Sequence, residues 1–521
     1  MKSNTHKTLE RIDIFQYELI LEGIAVGILT GLVVSMFRLA LEKADVARNW
    51  MLAYGSQGIN RGLLTFLALS ILVFAVILCL NKEPLCSGSG IPQVKGEMKG
   101  QIEAKWWRVI LCKFIGGVAA IGGGLSLGRE GPSIQLGAMV GKGFSRLTKR
   151  LRTEEKMLMT CGAGAGLAGA FCAPLAGVVF ALEELHKNFS TDILLSTMAA
   201  AVSSDFVSSY IFGLEPVFDL SLSERLPLSK YWMIICLGII LGAFGVFYNF
   251  TIRNSQNILE KIKNKNIRLI IPFIFVILFA IFYPEVLGGG HGIVGQVGRN
   301  ELVISSLIIL LILKFIFSVL SFGSGAPGGI FLPLLVLGAI TGGVFAQLAG
   351  LAFDYDDMYM TNFVILGMAG YFSAIVRAPV TGVILITEMT GDFNSLLSLA
   401  IVALVSYVTA DLLKGVPIYD QLLDRMLAKQ KGEETLQGKK VHKVILESDV
   451  YLGSKMDGEK IEKMLLPPGC LVVSVIRDGK EFVPCGSTEL LGGDKLVILC
   501  AETFVHSVEE KLTAICKIIS R

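Results

Sequence analysis

Long uncharged runs broken by glycine and proline set the pattern of this chain. Gly62–Leu80, Tyr231–Ile252, Leu269–Pro284, Pro327–Phe353 and Phe393–Ala410 contain no Asp, Glu, Lys or Arg. Each approaches or reaches the roughly 20 residues a helix needs to cross hydrocarbon. After a polar arm at 1–17, membrane elements are predicted at Tyr17–Leu41, Gly62–Leu80, Trp106–Leu127, Leu194–Phe212, Tyr231–Arg253, Leu269–Tyr283, Leu302–Phe322, Asn362–Ile375, Ala378–Thr390 and Phe393–Ala410. Pro417-Ile418-Tyr419 opens a last short helix. Three Gly/Pro-rich segments lead into apolar helices: Gly88-Ser89-Gly90-Ile91-Pro92, Gly128-Arg129-Glu130-Gly131-Pro132 and Gly323–Gly338. They read as exposed helix starts, with Pro in or near the first turn, where its missing N–H costs nothing.

Ala173–Glu184 (APLAGVVFALEE) aligns with Ala378–Met389 (APVTGVILITEM), so the chain contains an internal repeat. Gly/Pro-rich helix starts at Gly128 and Gly325 precede the two copies. Two halves with broken helices in matching places are the pattern of transporters built from inverted repeats, whose half-helix N-termini bind anions near the membrane midplane. Glu183 pairs with Glu388 and reads as shared scaffold. Glu184 pairs with Met389 and is an extra acid, running into the basic His186-Lys187 step.

The pattern changes after Met426. Lys429–Lys440 is polar. Beyond it, Lys443–Leu446, Leu471–Ile476, Lys480–Pro484 and Lys495–Cys500 read as strands, with a hairpin signal at Asp478-Gly479. Lys460–Leu465 and Val505–Ile519 read as helices. The expected organisation is a transmembrane domain at 1–430, with halves at about 15–215 and 230–430, a linker at 431–440, and a water-soluble α+β domain at 441–521.

Composition agrees with a polytopic membrane protein. Of 521 residues, 53% are hydrophobic and 17% charged, and mean hydropathy is +0.64. The N-terminal stretch lacks an apolar core followed by a small-residue cleavage site, so no removable signal peptide is expected. The basic segments Arg146–Lys156, His186-Lys187 and Lys261–Arg268 are short, which places them, and with them both termini, in the cytoplasm. The ten cysteines show no CxxC pair and read as free thiols. No metal-ligand cluster is visible, and no HExxH or GxSG motif supports an enzyme.

The candidate chemistry is concentrated in few residues. Glu130 lies just before a helix start, where free N–H groups attract anions. Its carboxylate can occupy such a site and leave it when protonated; a structural Arg129–Glu130 pair is the alternative. Ser89 offers a hydroxyl beside free N–H groups, or is an ordinary helix cap. Lys113 and Arg129 either contribute positive field or hold buried carbonyls.

GSGIP at 88–92, GREGP at 128–132, GGIFLP at 328–333 and the late Tyr419 together resemble the CLC family of chloride channels and chloride/proton antiporters, over about residues 15–430. The resemblance implies an all-α inverted-repeat bundle with broken, partly re-entrant helices, assembled as a homodimer with one pathway per subunit. It implies chloride bound as substrate by the hydroxyls of Ser89 and Tyr419 and the N–H groups of Ile330 and Phe331. Gly128, Arg129 and Gly131 would line an outer site beside Glu130 as the gating glutamate. Glu184 falls at the position of the internal proton glutamate, where channels of the family usually carry an apolar residue. Ser89 itself favours chloride over nitrate or fluoride. A chloride/proton antiporter is expected, with a passive voltage- or ligand-gated chloride channel as the alternative; no cofactor, metal or nucleic acid is implied. VVSVIRDGKEFVPCGSTELLGGDKLVILC resembles the TrkA C-terminal (RCK-C) domain, which dimerises and in bacteria often senses small anionic ligands such as cyclic di-AMP. A regulatory ligand site at 441–521 and a dimer-stabilising cap both stay open. The domain suggests a bacterial chain in the plasma membrane.

Overall fold

The computed structural model describes residues 2–516 apart from 56, 188, 215, 219, 221–225, 354–358, 437–442, 465, 467–469, 478–479 and 502–504. The chain divides into two compact units, Met1–Leu427 and Ala428–Arg521.

The first unit is built from eight helices followed by eight in the same order, among the described residues. The first set is α1 (Lys2–Gly55), α2 (Ile59–Lys82), α3 (Ile91–Met98), α4 (Trp106–Gly122), α5 (Glu130–Leu147), α6 (Arg152–Phe171), α7 (Pro174–Phe180, continuing as a π-helix over Ala181–His186) and α8 (Thr191–Phe212). The second is α9 (Tyr231–Glu260), α10 (Lys265–Phe282), α11 (His291–Gly298), α12 (Ile304–Gly323), α13 (Phe331–Phe353), α14 (Met360–Val376), α15 (Pro379–Thr390) and α16 (Leu396–Leu412). A final helix, α17 (Ile418–Leu436), runs well into the stretch expected as a linker. Six of the described helices are long and apolar enough to cross a membrane.

Helix α1 continues to Gly55, past Leu41, where the apolar pattern ends. Its charged last turns are helical because charges pair along one face: Arg38 with Glu42 at 3.1 Å and Arg48 with Asp45 at 2.7 Å. The polar arm at 1–17 is part of the same helix by backbone; its side chains before Tyr17 lie outside the described residues.

The halves match down to single side chains. In each, a short 3₁₀ turn (Pro84–Cys86, Pro284–Val286) leads through two left-handed glycines (Gly88 and Gly90; Gly288 and Gly290) into a short helix. A fully buried lysine holds each turn. Lys113 donates to the carbonyls of Cys86 at 3.0 Å and Gly88 at 2.6 Å. Lys314 donates to those of Val286 and Gly288, both at 2.8 Å. Carbonyls freed by broken helices inside a membrane must find donors, and these two ammonium groups supply them. Lys113 is thus a structural partner of carbonyls.

The acids flagged by the repeat cap each other's halves. Glu388 accepts from the N–H groups of Leu175 (3.0 Å) and Ala176 (2.8 Å) at the start of α7. Glu183 accepts from the Thr381 N–H (2.8 Å) and hydroxyl (2.7 Å) at the start of α15. Each carboxylate complements the positive end of a helix in the opposite half.

At the central helices Gly128 pairs with Gly329: each N–H donates to the other's carbonyl at 2.7 Å. Gly325 matches Gly124 in its left-handed backbone.

In the second unit, β1 (Lys443–Asp449), β2 (Leu471–Arg477), β3 (Lys480–Phe482) and β4 (Lys495–Ala501) form an antiparallel sheet in the order β1-β4-β2-β3. The helix α18 (Val505–Cys516) packs on β1 and β4, burying Val508, Leu512 and Cys516 against Val475, Leu496 and Ile498. The expected helix at Lys460–Leu465 is a 3₁₀ turn, Ile461–Met464. The Asp478-Gly479 turn lies outside the described residues, but β2 and β3 pair on either side of it, Arg477 opposite Lys480. Arg477 grips Asp494 with two nitrogens, at 2.7 and 2.6 Å.

Lys113→Met and Lys314→Met each leave two buried carbonyls without a donor. Each is expected to cost about 2–4 kcal/mol, read as matched losses of thermal stability in detergent. In the second unit, burial pushes the Asp494 carboxyl up, but Arg477 and the Leu491 N–H outweigh it and hold it below its ordinary value. The stabilisation is therefore complete above the ordinary carboxylate range and is lost as pH falls through the lowered value. Asp494→Asn should loosen the sheet by about 1–2 kcal/mol, seen as faster hydrogen exchange at β4 in the full-length protein.

Candidate functional site

Three broken-helix starts meet around the Gly128–Gly329 bridge. The Gly88 N–H donates to the Gly325 carbonyl at 3.3 Å, and the Gly328 N–H to the Gly88 carbonyl at 3.0 Å. These contacts join the segments before α3, α5 and α13. Side chains fix the first of them further: Gln93 Nε2 donates to Ser87 O at 2.8 Å and Gln135 Nε2 to Leu85 O at 2.9 Å. Gly90 has φ +93, and a Cβ there would run into Gln135, so only glycine fits.

Ser89 hangs from this cradle. It lies outside α3, whose cap is Gly90, and its hydroxyl caps nothing. The helix start is buried throughout rather than exposed. Gly131 faces it so closely that a Cβ would come within 2.5 Å of Ser89 Oγ.

Glu130 is the first residue of α5, with Arg129 as the cap and Pro132 in the first turn. Its side chain folds back over Gly128, and the Leu332 N–H in the first turn of α13 lies 3.0 Å from where a Gly128 Cβ would sit. The Gly128 N–H itself is taken up by the Gly329 carbonyl, so the Gly128 contribution to an anion site is its lack of a side chain.

Phe331 begins α13 among the rings of Phe372 (4.7 Å), Phe171 (5.5 Å) and Phe180 (6.3 Å). The N–H groups at the α13 start, those of Ile330 and Phe331 among them, therefore open beside an apolar wall, and the first N–H groups of any helix lack intrahelical partners. Tyr419 enters from α17. The segment before it is held by Asn249, which donates to Val416 O at 3.0 Å, and by Arg377, which donates to Gly415 O at 2.9 Å. The Tyr419 side chain is fully buried.

The centre thus gathers polar atoms that the protein leaves without partners. Ser89 Oγ and Tyr419 OH are buried and make no hydrogen bond, and the Glu130 carboxylate has no side-chain partner; the three residues are 2%, 0% and 0% exposed. Native proteins pair nearly all such atoms. Buried hydroxyls and helix N-termini are groups suited to a small anion.

Glu184 lies in the last turn before the His186-Lys187 step, as expected, but its own side chain is buried. It lies in the π-helix, 4% exposed, with Oε1 at 2.8 Å from Lys95 Nζ. Lys95 and Asp420 are the site residues that sequence reasoning missed. In IPQVKGEMKG, Lys95 looks like one of several charges on a short solvated helix, and its partners lie far along the chain.

A family model described as the voltage gated chloride channel matches residues 69–411, and one for the TrkA-C domain matches 445–513. The chain belongs to the CLC family. The H(+)/Cl(-) exchange transporter ClcA of Vibrio cholerae is 35% identical over 79% of this chain and 90% of its own length. A slow cyanobacterial Cl-/H+ antiporter of known structure superposes with TM-score 0.76 at 31% identity, over 79% of this chain and 99% of its own. A CLC-type fluoride/proton antiporter gives TM-score 0.65 at 25% identity, over 77% and 97%. The repeat is therefore the inverted repeat of the CLC fold, and the protein is a multi-pass membrane protein with a C-terminal TrkA-C domain.

Proposed function

We propose that this CLC protein is a chloride/proton antiporter. The observations that carry the reading are that Ser89 Oγ and Tyr419 OH are buried without a partner, that Ser89 lies against Gly131, and that the Glu130 carboxylate folds over Gly128 towards the Leu332 N–H in the first turn of α13. Chloride binds there through hydroxyls and the N–H groups of Ile330 and Phe331. Lys113 is engaged by carbonyls, so the anion meets dipoles rather than a direct ion pair and is able to leave again. The Glu130 carboxylate competes for the same N–H groups and gives way when it takes a proton; Gly128, Arg129 and Gly131 line its outer side. Glu184 is the acid through which the proton passes on, a role in keeping with intramembrane ionisable groups.

The named activities of the relatives support exchange of chloride for protons. On the same reading the protein works as a homodimer in a bacterial plasma membrane, with both termini on the side of its basic loops. The TrkA-C domain binds a small anionic ligand that regulates transport.

Reconstitution in liposomes with a chloride gradient tests this directly. Chloride flow is expected to drive protons and to alkalinise or acidify the outside according to gradient direction. Glu130→Gln should abolish proton movement. Glu184→Ala should remove proton coupling while chloride flux continues. Chloride flux with no proton movement in the wild type would make the protein a passive chloride channel.

A further inference from the structure

Helix α3 follows Ser89 directly and carries Lys95 in its second turn. Helix α17 carries Tyr419 and Asp420 in its first turn. The Lys95 side chain is fully buried, and its ammonium lies 2.8 Å from Glu184 Oε1 and 2.5 Å from Asp420 Oδ1. The second Asp420 oxygen faces Lys187 at 3.5 Å, a half-exposed lysine at the end of the π-helix. The groups that face this cluster are thus Lys95 from α3 and Lys99 just after it, Tyr419 and Asp420 from α17, and Lys187 beside Glu184.

One buried ammonium shared by two carboxylates leaves the trio with one negative charge in excess. A proton arriving on Glu184 makes it a neutral carboxyl and removes that excess. Lys95 keeps its own proton and turns wholly to Asp420. The Lys95–Asp420 pair joins the two elements whose ends bear the Ser89 and Tyr419 hydroxyls, so its tightness sets how firmly those hydroxyls are held together.

We propose that Lys95 and Asp420 form an ionic latch that reads the proton on Glu184 and transmits it to the Ser89–Tyr419 pair. With Glu184 ionised, Lys95 is divided between two acids and its tie from α3 to α17 is shared with α7's continuation. With Glu184 protonated, Lys95 serves Asp420 alone and holds the ends that bear the two hydroxyls more firmly. Lys95 and Asp420 are positioning residues, since neither touches the chloride or carries the transported proton. The latch rests on the antiport reading above.

The signs of two substitutions separate this device from a plain structural pair. Lys95→Met removes the positive charge that favours the ionised acid, so protons bind more readily and the pH midpoint of exchange rises. Asp420→Asn gives Lys95 to Glu184 alone, so the midpoint falls. Charges at this range move a titration by about one pH unit or more. Lys95→Arg keeps the charge and should return the midpoint to the wild-type value.

The experiment measures chloride-driven proton flux in liposomes at equal pH on both sides, from pH 4 to 8, for the wild type, Lys95→Met, Lys95→Arg and Asp420→Asn. Opposite shifts of about one unit in Lys95→Met and Asp420→Asn, with rescue by Lys95→Arg, are expected. A coupled wild type whose two variants keep its midpoint, or shift in the same direction, overturns the latch alone. A wild type that moves no protons overturns the antiport reading and the latch with it. Should Lys95→Met fail to fold, Asp420→Asn, which leaves the lysine paired, decides by itself: an unshifted midpoint refutes the latch.

Discussion

A membrane chain that breaks its helices must find partners for every backbone group it frees. The centre of this protein is organised by that demand. Two buried lysines, Lys113 and Lys314, take up freed carbonyls in the two halves, and two acids, Glu183 and Glu388, take up freed N–H groups at the starts of α15 and α7. Gly128 and Gly329 satisfy each other across the repeat. With those groups paired, Ser89 Oγ and Tyr419 OH are among the buried side-chain atoms that keep no partner within the protein.

On the proposed reading, the same pairing keeps the site from trapping its anion. A lysine aimed into it would bind chloride tightly and slow its release. Lys113, the candidate for that role by position, instead donates to the Cys86 and Gly88 carbonyls, and it thereby fixes the loop from which Ser89 hangs. Its charge acts through geometry more than through contact. In the proposed function, Glu130 competes for the N–H groups that would hold the anion.

Much of this was legible in the sequence. The broken-helix starts at Gly88, Gly128 and Gly328, the repeat and the odd status of Glu184 all follow from pattern, since glycine and proline punctuate helices and charge is scarce in membrane runs. The strands of the C-terminal domain were legible for the same reason, through alternation and turn residues. Less legible were facts that depend on contacts distant in sequence. Ser89 looks like a helix cap, and only the placement of Gly90 shows that it is not. Glu183 and Glu388 look like scaffold, but their exchange of helix ends between halves is visible only once the halves are packed. The full length of α1 was hidden because its last turns are polar and are held by pairs such as Arg48 with Asp45. Lys95 and Asp420 gave no signal, since a charge in a short polar helix looks solvated until its partners are brought to it.

The central claim is that the hydroxyls of Ser89 and Tyr419 and the N-terminus of α13 receive the transported anion. Anomalous scattering from crystals grown in bromide tests it most directly. The account predicts a peak within contact distance of Ser89 Oγ, Tyr419 OH and the backbone nitrogens of Ile330 and Phe331, and a second peak over Gly131 in Glu130→Gln. Bromide bound elsewhere in the transmembrane unit, with none between those two hydroxyls, would contradict it.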